Sequence, residues 1–232
     1  MRLKLLHLHL VVDREIKETA TQLRGFIGKK FEDDVEFHHH FSSKKENHEL
    51  LYKYPTIQYK IHDSKAIILA IGENAISLLR KVILSMEELK LNDNTYILRE
   101  INARYAEADF GLMSNGKTYR YRFISPWLAL NEKNYEIFKG ASIKERRTLL
   151  TSILIGNLLS ISKNLGYEVP DTIRVEIELH PLKVFYKNIP LIGFKGLFES
   201  NFQIPDYLGV GKAVSHGFGT VKIAHDDTNH NL

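Results

Sequence analysis

The sequence predicts an α+β protein made of two domains that share the same order of elements. Its 232 residues suit two small domains better than a single compact one. In each half, a segment of alternating apolar and polar residues precedes a segment with helical apolar spacing, and further strand-like segments follow. The order β-α-β-β-α-β is that of the ferredoxin-like (RRM-like) fold. We therefore expect two tandem ferredoxin-like domains, over residues 1–110 and 111–232.

The first domain opens with a strand over residues 3–12, where leucines recur at alternate positions. Asp13 is the predicted N-cap of a helix that ends near Lys30. Beyond a histidine-rich segment, the sequence predicts a hairpin over 56–61 and 65–72, a second helix over 75–83 and a last strand over 96–105. Such a domain packs both helices on one face of its sheet and leaves the other face for a ligand.

The second domain repeats this order with one difference. The sequence predicts a strand over 119–130, a helix from the capping box Ser142–Glu145 to the C-terminal cap Gly166, strands over 172–180, 184–186 and 191–198, and a last strand over 218–223. The segment 199–212 stands in the place of the second helix and is too rich in glycine and proline to form a good one. We therefore expect a degenerate second helix, replaced by a loop or a helical stub, beside a glycine-rich loop.

Composition excludes several classes of protein. Hydrophobic residues make up 44% and charged residues 26% of the sequence, so a wholly disordered chain is excluded. No apolar run reaches the roughly 18 residues that a membrane helix needs. The absence of cysteine excludes disulfides, thiolate metal sites and a cysteine nucleophile, and it fits a cytoplasmic protein. The net charge of +4 suits a polyanionic partner without requiring one.

The most specific motif is a glycine-rich segment near the end of the sequence. Gly209 and Gly211 precede Lys212, and Gly217 and Gly219 follow it. Glycines let backbone N–H groups approach phosphate oxygens without an intervening Cβ, and the lysine adds a positive charge for the same anion. The spacing matches neither a dinucleotide-binding fingerprint, which opens a helix, nor a Walker loop, which needs Gly-Lys-Ser/Thr. A tight double turn before the last strand is the structural alternative.

A run of three histidines follows the first predicted helix. In an extended segment, His38 and His40 point to one side and His39 points to the other. Two imidazoles on one side suit metal-free cleavage of RNA, because one can accept the proton of a ribose 2′-OH while the other protonates the departing 5′ oxygen. A solvated loop is one alternative interpretation, and a zinc site completed by Glu36 or His48 is another.

Neighbouring side chains could complete such a site. Lys29 or Lys30, at the end of the helix, could offset the charge of a phosphorane-like transition state. Tyr52 and Tyr54 could orient a group or donate a proton, although tyrosines before a strand are usually packing residues. No Ser-His-Asp signature and no carboxylate cluster is present. Histidine-based cleavage of a phosphodiester, without metal or cofactor, is therefore the chemistry that these side chains best support.

A third motif alternates basic and aromatic residues. In a strand, the aromatic side chains of Tyr119, Tyr121 and Phe123 lie on one face, and Arg120 and Arg122 lie on the other. An arginine face in a groove would follow phosphates, and an open aromatic face would stack bases. A core strand with solvated arginines is the alternative.

Together these segments resemble a known family. The glycine-rich segment, preceded by Phe198, Asn201 and Pro205, resembles the glycine-rich loop of the CRISPR-associated repeat-RNA-processing endoribonucleases of the RAMP superfamily. The segment 54–60, which follows a histidine pair, and the doubled ferredoxin-like order also resemble that family. The resemblance covers nearly the whole chain.

The resemblance implies a metal-independent endoribonuclease of antiviral defence. Such an enzyme cuts CRISPR precursor RNA within its repeats by 2′-OH attack and leaves a 2′,3′-cyclic phosphate and a 5′-OH. The family's active-site histidine corresponds to His38 or His40, and its lysine and tyrosine correspond to Lys30 and Tyr52. The RNA contacts would then come from the glycine-rich segment and a basic face, which gives the candidates Gly209, Gly211, Lys212, Gly217, Gly219, Arg120 and Arg122.

The sequence leaves a second function open. Catalytic residues vary in this family and some relatives only bind RNA, so a non-catalytic RNA-binding subunit of a CRISPR ribonucleoprotein complex is the alternative. A metal-dependent hydrolase that uses the histidine cluster is a weaker third interpretation. CRISPR repeat RNA is the expected partner, no membrane is involved, and a homodimer or association with a CRISPR effector complex is left open.

Overall fold

The computed structural model describes residues 1–30, 53–113 and 116–224. These residues form two compact units. The first unit consists of Arg2–Ala108 and, from far along the chain, Ala213–Gly217. The second consists of Met1, Asp109–Lys212 and the described residues from Phe218 onward.

The first unit contains a five-stranded sheet with the order β2-β3-β1-β5-β4. Its elements are β1 (Arg2–Val12), α1 (Ala20–Lys30), β2 (Ile57–His62), β3 (Lys65–Ile71), α2 (Glu73–Ile83), β4 (Glu88–Leu91) and β5 (Asn94–Asp109). Without the short β4, which forms a hairpin with β5, the order β2-β3-β1-β5 is the ferredoxin-like arrangement. The predicted fold of the first half is therefore confirmed, with one additional edge strand.

Alternation along β1 places the expected side chains in the core. Leu6, Leu8 and Leu10 are buried against apolar residues of both helices, including Leu23 of α1 and Leu79 of α2. The opposite face, which the sequence predicts to be open to a ligand, is buried as well. On that face, the exposed fraction of the residue is at most 8% for Leu5, His7, Gln58, Lys60 and Leu69. The expectation of a free face on this sheet is therefore wrong.

Helix α1 begins later than the sequence predicts. The carboxylate of Asp13 accepts a hydrogen bond from the Ile97 amide at 2.9 Å, so it joins β1 to β5 rather than capping a helix. The helix begins after Thr19, whose N–H donates to the Gln22 Oε1 at 3.1 Å while the Thr21 N–H donates to the Thr19 Oγ1 at 3.3 Å. These contacts are those of a capping arrangement, in which an N-cap hydroxyl and the side chain at the third helical position satisfy free amides.

The second unit contains a four-stranded sheet with the order β11-β7-β9-β8, again ferredoxin-like, and a separate two-stranded pair of β6 and β10. Its elements are β6 (Gly111–Leu112), β7 (Tyr119–Trp127), α3 (Glu132–Gly140), α4 (Ile143–Asn164), β8 (Val175–Tyr186), β9 (Ile189–Ser200), β10 (Phe202–Gln203) and β11 (Val221–Ile223). In the chain position of the second helix, there is only a single 3₁₀ turn over Val214–His216, which belongs to the first unit, so the degenerate second helix is confirmed.

Helix α4 has the ends that its sequence predicts. The Ser142 side chain and Glu145 form a reciprocal capping box at its start. At its end, Gly166 has a φ of +74°, and the Tyr167 N–H donates to the Ser162 carbonyl at 2.8 Å. This is the left-handed termination that favours glycine.

Strand β8 departs from the prediction of two short strands. It is one strand from Val175 to Tyr186, paired with β9 along its whole length. Pro181 lies within it, and β8 is at the edge of the sheet. A proline is tolerated there because its missing N–H can face away from the neighbouring strand.

Among the described residues, no helix is long and apolar enough to span a membrane.

Candidate functional site

The predicted catalytic residues lie only partly within the described structure. His38, His40 and Tyr52 fall in the segment 31–52, outside the described residues. Lys30 is the last residue of α1, is exposed and directly precedes that segment. Its positive charge, like that of Lys29, lies at the negative end of the helix dipole.

The glycine-rich segment is closely packed, and three of its glycines, Gly211, Gly217 and Gly219, sit against side chains or backbone. Gly211 has a φ of +92°, and a Cβ there would lie 2.5 Å from the Trp127 Nε1. Gly219 has a φ of +63°, and a Cβ there would collide with the Val210 carbonyl oxygen. Only glycine meets both the conformational and the steric requirement at these two positions.

Several backbone amides of the segment are already hydrogen bonded within the protein. The Val210 N–H donates to the Gly219 carbonyl and the Gly219 N–H to the Pro126 carbonyl, each at 2.8 Å. Gly209 forms an isolated bridge with Thr220. In this conformation these amide donors hold the double turn together, which is the structural role that the sequence offered as an alternative.

Lys212 is also tied to the protein. Its Nζ donates to the Leu130 carbonyl at 3.0 Å, and partial burial lowers the pKa of the side chain. The ammonium group therefore fastens the glycine-rich segment to the loop after β7. The contact of Lys212 with an RNA phosphate stays a prediction.

The 3₁₀ turn next to Lys212 packs on α1 and β2, within the first unit. The His216 Nε2 lies 3.3 Å from an Arg24 Nη1, and its Nδ1 lies 3.2 Å from the Thr21 Oγ1. Because a guanidinium only donates, the Nε2 accepts and the Nδ1 carries the proton. Gly217, with a φ of +87°, allows this approach, since a Cβ there would lie 2.6 Å from the Ala20 Cβ. His216, for which the sequence carried no functional signal, therefore packs on the helix that ends at Lys30, within the first unit.

The basic and aromatic strand has the alternation that the sequence predicts. Tyr121 and Phe123 are 0% and 2% exposed, so the aromatic face belongs to the core of the second unit and cannot stack bases. Arg120 and Arg122 are exposed on the other face. Arg120 donates to the Glu178 carboxylate at 2.9 Å, an exposed ion pair.

A buried polar pair lies on β2, where no motif drew attention. Gln58 is fully buried, Lys60 is 2% exposed, and the Lys60 Nζ donates to the Gln58 Oε1 at 3.0 Å. Burial lowers the pKa of Lys60 to about 7. The sequence signal was an alternation of Gln58 and Lys60 with apolar residues, which is typical of a half-exposed strand.

The described residues contain no group of three or more histidine, aspartate or glutamate side chains placed to hold a metal ion. The histidines of the alternative zinc interpretation lie in the segment 31–52, outside those residues.

Two family models match the chain in sequence. The Cas6b N-terminal domain matches residues 1–109, and the Cas6b C-terminal domain matches residues 113–224. The chain belongs to the Cas6b family. The family predicted from the glycine-rich segment and the element order is therefore confirmed.

Solved Cas6b structures are similar over almost the whole chain. One Cas6b crystal structure is 38% identical with a TM-score of 0.85, and the match covers 97% of this chain and 100% of the other. A CRISPR RNA processing endoribonuclease Cas6b is 35% identical with a TM-score of 0.76 and the same coverage. The uncharacterized protein MJ0978 of Methanocaldococcus jannaschii is 42% identical over 142 residues, which is 61% of this Cas6b chain and 95% of that protein.

Proposed function

We propose that this Cas6b protein is an endoribonuclease that cuts CRISPR precursor RNA within its repeats, in the cytoplasm and without a metal ion. The observation that carries the proposal is the similarity, at 35% identity over 97% of the chain, to a CRISPR RNA processing endoribonuclease Cas6b. The position of Lys30 at the end of α1, directly before the histidine segment in the sequence, is consistent with it. CRISPR repeat RNA is the proposed partner; a homodimer and association with an effector complex are untested expectations.

In the proposed reaction, the ribose 2′ oxygen attacks the adjacent phosphorus and the bond from phosphorus to the 5′ oxygen breaks. One imidazole of His38 and His40 accepts the proton of the 2′-OH, and the other donates a proton to the departing 5′ oxygen. Lys30 offsets the negative charge that builds on the phosphoryl oxygens, and Tyr52 orients the reacting groups. The products are a 2′,3′-cyclic phosphate and a 5′-OH, so no water and no oxidant is consumed.

RNA binding is proposed for the glycine-rich segment and for the arginines of β7. The candidates stay those of the sequence, namely Gly209, Gly211, Lys212, Gly217, Gly219, Arg120 and Arg122. For the glycines we propose an indirect contribution, since their close packing and their backbone hydrogen bonds fix the shape of the loop that would meet the RNA.

Replacing His40 tests the chemistry. His40→Ala should lower the single-turnover rate of repeat cleavage by a factor of about 10²–10⁴, which is the usual contribution of one general acid or base. RNA affinity should change little, because the proposed phosphate contacts come from other residues, among them Lys212 and Arg122. His38→Ala should behave likewise, and His39→Ala is the matched control, since the sequence alternation predicts that His39 points to the other side. Cleavage is followed on the protein's own CRISPR repeat transcript.

The same assay separates the proposal from its alternatives. Cleavage should persist in EDTA and yield cyclic phosphate ends. Loss of cleavage in EDTA would contradict the metal-independent mechanism and favour the hydrolase interpretation. RNA that is bound but never cut, by the wild-type protein under all conditions, would identify a non-catalytic RNA-binding subunit.

A further inference from the structure

One face of the second sheet is open, and its charges are unevenly distributed. The side chains opposite the buried aromatic face are exposed or half-buried. On β8 and β9 these include acidic residues, and on β7 and β11 they include basic ones. The acidic group consists of Glu176, Glu178 and Glu199, and the basic group consists of Arg120, Arg122 and Lys222. Lys195 of β9 lies on the same face, opposite His180 of β8.

The strand register separates the two arginines of β7. Arg120 is paired across the strands with Glu199 of β9, and it forms its ion pair with Glu178 of β8. Arg122 is paired with Leu197 on β9 and with Lys222 on β11. Arg122 therefore lies directly opposite another cation on one side and opposite an apolar residue on the other.

This arrangement of like charges calls for an anion. Like charges directly opposite each other in an antiparallel pair are destabilising. Within the described part of the chain, neither Arg122 nor Lys222 forms an ion pair with a carboxylate. Asp206, the acidic residue beside β11, accepts a hydrogen bond from the Ile223 N–H at 2.8 Å.

An aromatic ring supports Lys222 from the side. The Lys222 Nζ lies 5.0 Å from the centroid of the Tyr207 ring, a cation–π distance. Tyr207 has a φ of +66°, a conformation that a bulky residue rarely adopts, and its N–H donates to the Val221 carbonyl at 2.8 Å. The backbone thus holds the ring beside β11 in spite of a local conformational cost.

We propose that Arg122, Lys222 and Tyr207 form a binding site for the phosphodiester backbone of single-stranded RNA. The arginine fork and the lysine ammonium provide two kinds of phosphate donor, and the open strand surface suits a polymer rather than an enclosed small ligand. Arg120 contributes less because Glu178 already neutralises it. This inference rests on the proposed function, since it identifies part of the surface that holds the RNA.

The salt dependence of RNA binding tests the site. The probes are the protein's CRISPR repeat transcript and an oligouridylate strand, measured by fluorescence anisotropy over a range of salt concentrations. For the double variant R122A/K222A, the slope of log Kobs against log salt should become shallower by about 0.7 to 1.4, because each phosphate contact on a single strand contributes about 0.7. The matched control is K144A/R147A, which removes two exposed cations from α4 of the same unit and should keep the wild-type slope.

A second variant removes a negative charge at an exposed position. Glu178→Gln releases Arg120 and removes a negative charge from the same face, so its slope should become steeper by up to about 0.7. If R122A/K222A keeps the wild-type slope while the wild-type protein binds and cuts its repeat, this inference is wrong and the proposed function stands. If the wild-type protein binds neither RNA, both are wrong.

Discussion

At the scale of single residues, Lys60 is the least expected feature of this Cas6b chain. Its ammonium group is buried with a glutamine oxygen as hydrogen-bond acceptor, and burial lowers its pKa from 10.5 to about 7. The unfolded chain therefore binds more protons than the folded one between these two values. Folding stability gains a contribution as the pH rises through this range and loses it as the pH falls towards 7.

Lys60→Met should reveal this contribution. The variant should be more stable than the wild-type protein at about pH 6.5, and the difference should shrink by up to about 1.4 kcal/mol per pH unit as the pH rises to about 10. Urea denaturation of both proteins across this range measures it. Lys65→Met, at an exposed lysine on the neighbouring strand, is the control and should show no such trend. A difference for Lys60→Met that does not vary with pH would contradict the lowered pKa.

The cations of β7 and β11 show, also at the scale of residues, what a sequence pattern cannot predict. Alternation placed Arg120 and Arg122 together on one face, which the structure confirms. It could not separate them, because the ion-pair partner of Arg120, Glu178, lies on a strand more than fifty residues away. Lys222 was missed for the same reason, since its neighbour Arg122 becomes adjacent only when β7 pairs with β11.

At the scale of elements, Gly219 of the glycine-rich segment and Gly156 of helix α4 should respond in opposite ways to replacement by alanine. Gly219→Ala should lower the free energy of unfolding by about 1–3 kcal/mol or more, because the new Cβ meets the Val210 carbonyl at a positive φ. Gly156→Ala, within α4 and facing open space, should instead raise it by about 0.5–1 kcal/mol. Urea denaturation compares the two. A loss for Gly219→Ala no larger than that of an ordinary surface substitution would contradict the packing described for this turn.

Elements with strong local signals were predictable. The capping box and the terminal glycine of α4 both lie in the sequence itself, and so does the alternation of β7. Elements that depend on their neighbours were not. Helix α3 was overlooked although Asn131 caps it, accepting from the Asn134 N–H at 2.7 Å, and β4 has four residues that become a strand through pairing with β5. Asp13 resembled a helix cap but serves the sheet.

At the scale of the whole molecule, the first unit includes residues that stand more than a hundred positions beyond its main segment. Gly217→Ala should therefore weaken α1 and β2, because the added methyl group would press on Ala20. Amides of 20–30 and 57–62 should exchange faster with deuterium, about tenfold for each 1.4 kcal/mol of lost stability, while amides of 143–164 should not. Mass spectrometry of the exchanged peptides measures this.

The control for that experiment is Gly116→Ala. Gly116 also has a positive φ, but no described atom lies within 4 Å of the position of a Cβ there. It should leave 20–30 and 57–62 protected. Equal acceleration in all three segments after Gly217→Ala would mean that residue 217 does not act specifically on the first unit.

The fold of the molecule was more predictable from sequence than its site. Two sheets of ferredoxin-like order follow from alternation and helical spacing, and the matched Cas6b structures agree with them. The site depends on contacts between distant residues, such as His216 with Arg24, and on the histidine segment, which lies outside the described residues. Sequence spacing carries no information on contacts between distant residues, and for the histidine segment it gives only candidate residues.

The late return of residues 213–217 also bears on how the protein is made. A ribosome has to translate more than two hundred residues before the turn that covers Ala20 exists. Until then, the surface of α1 around Ala20 lacks the turn that packs on it. A chain that stops before residue 213 would thus lack one of the segments that pack on α1 and β2.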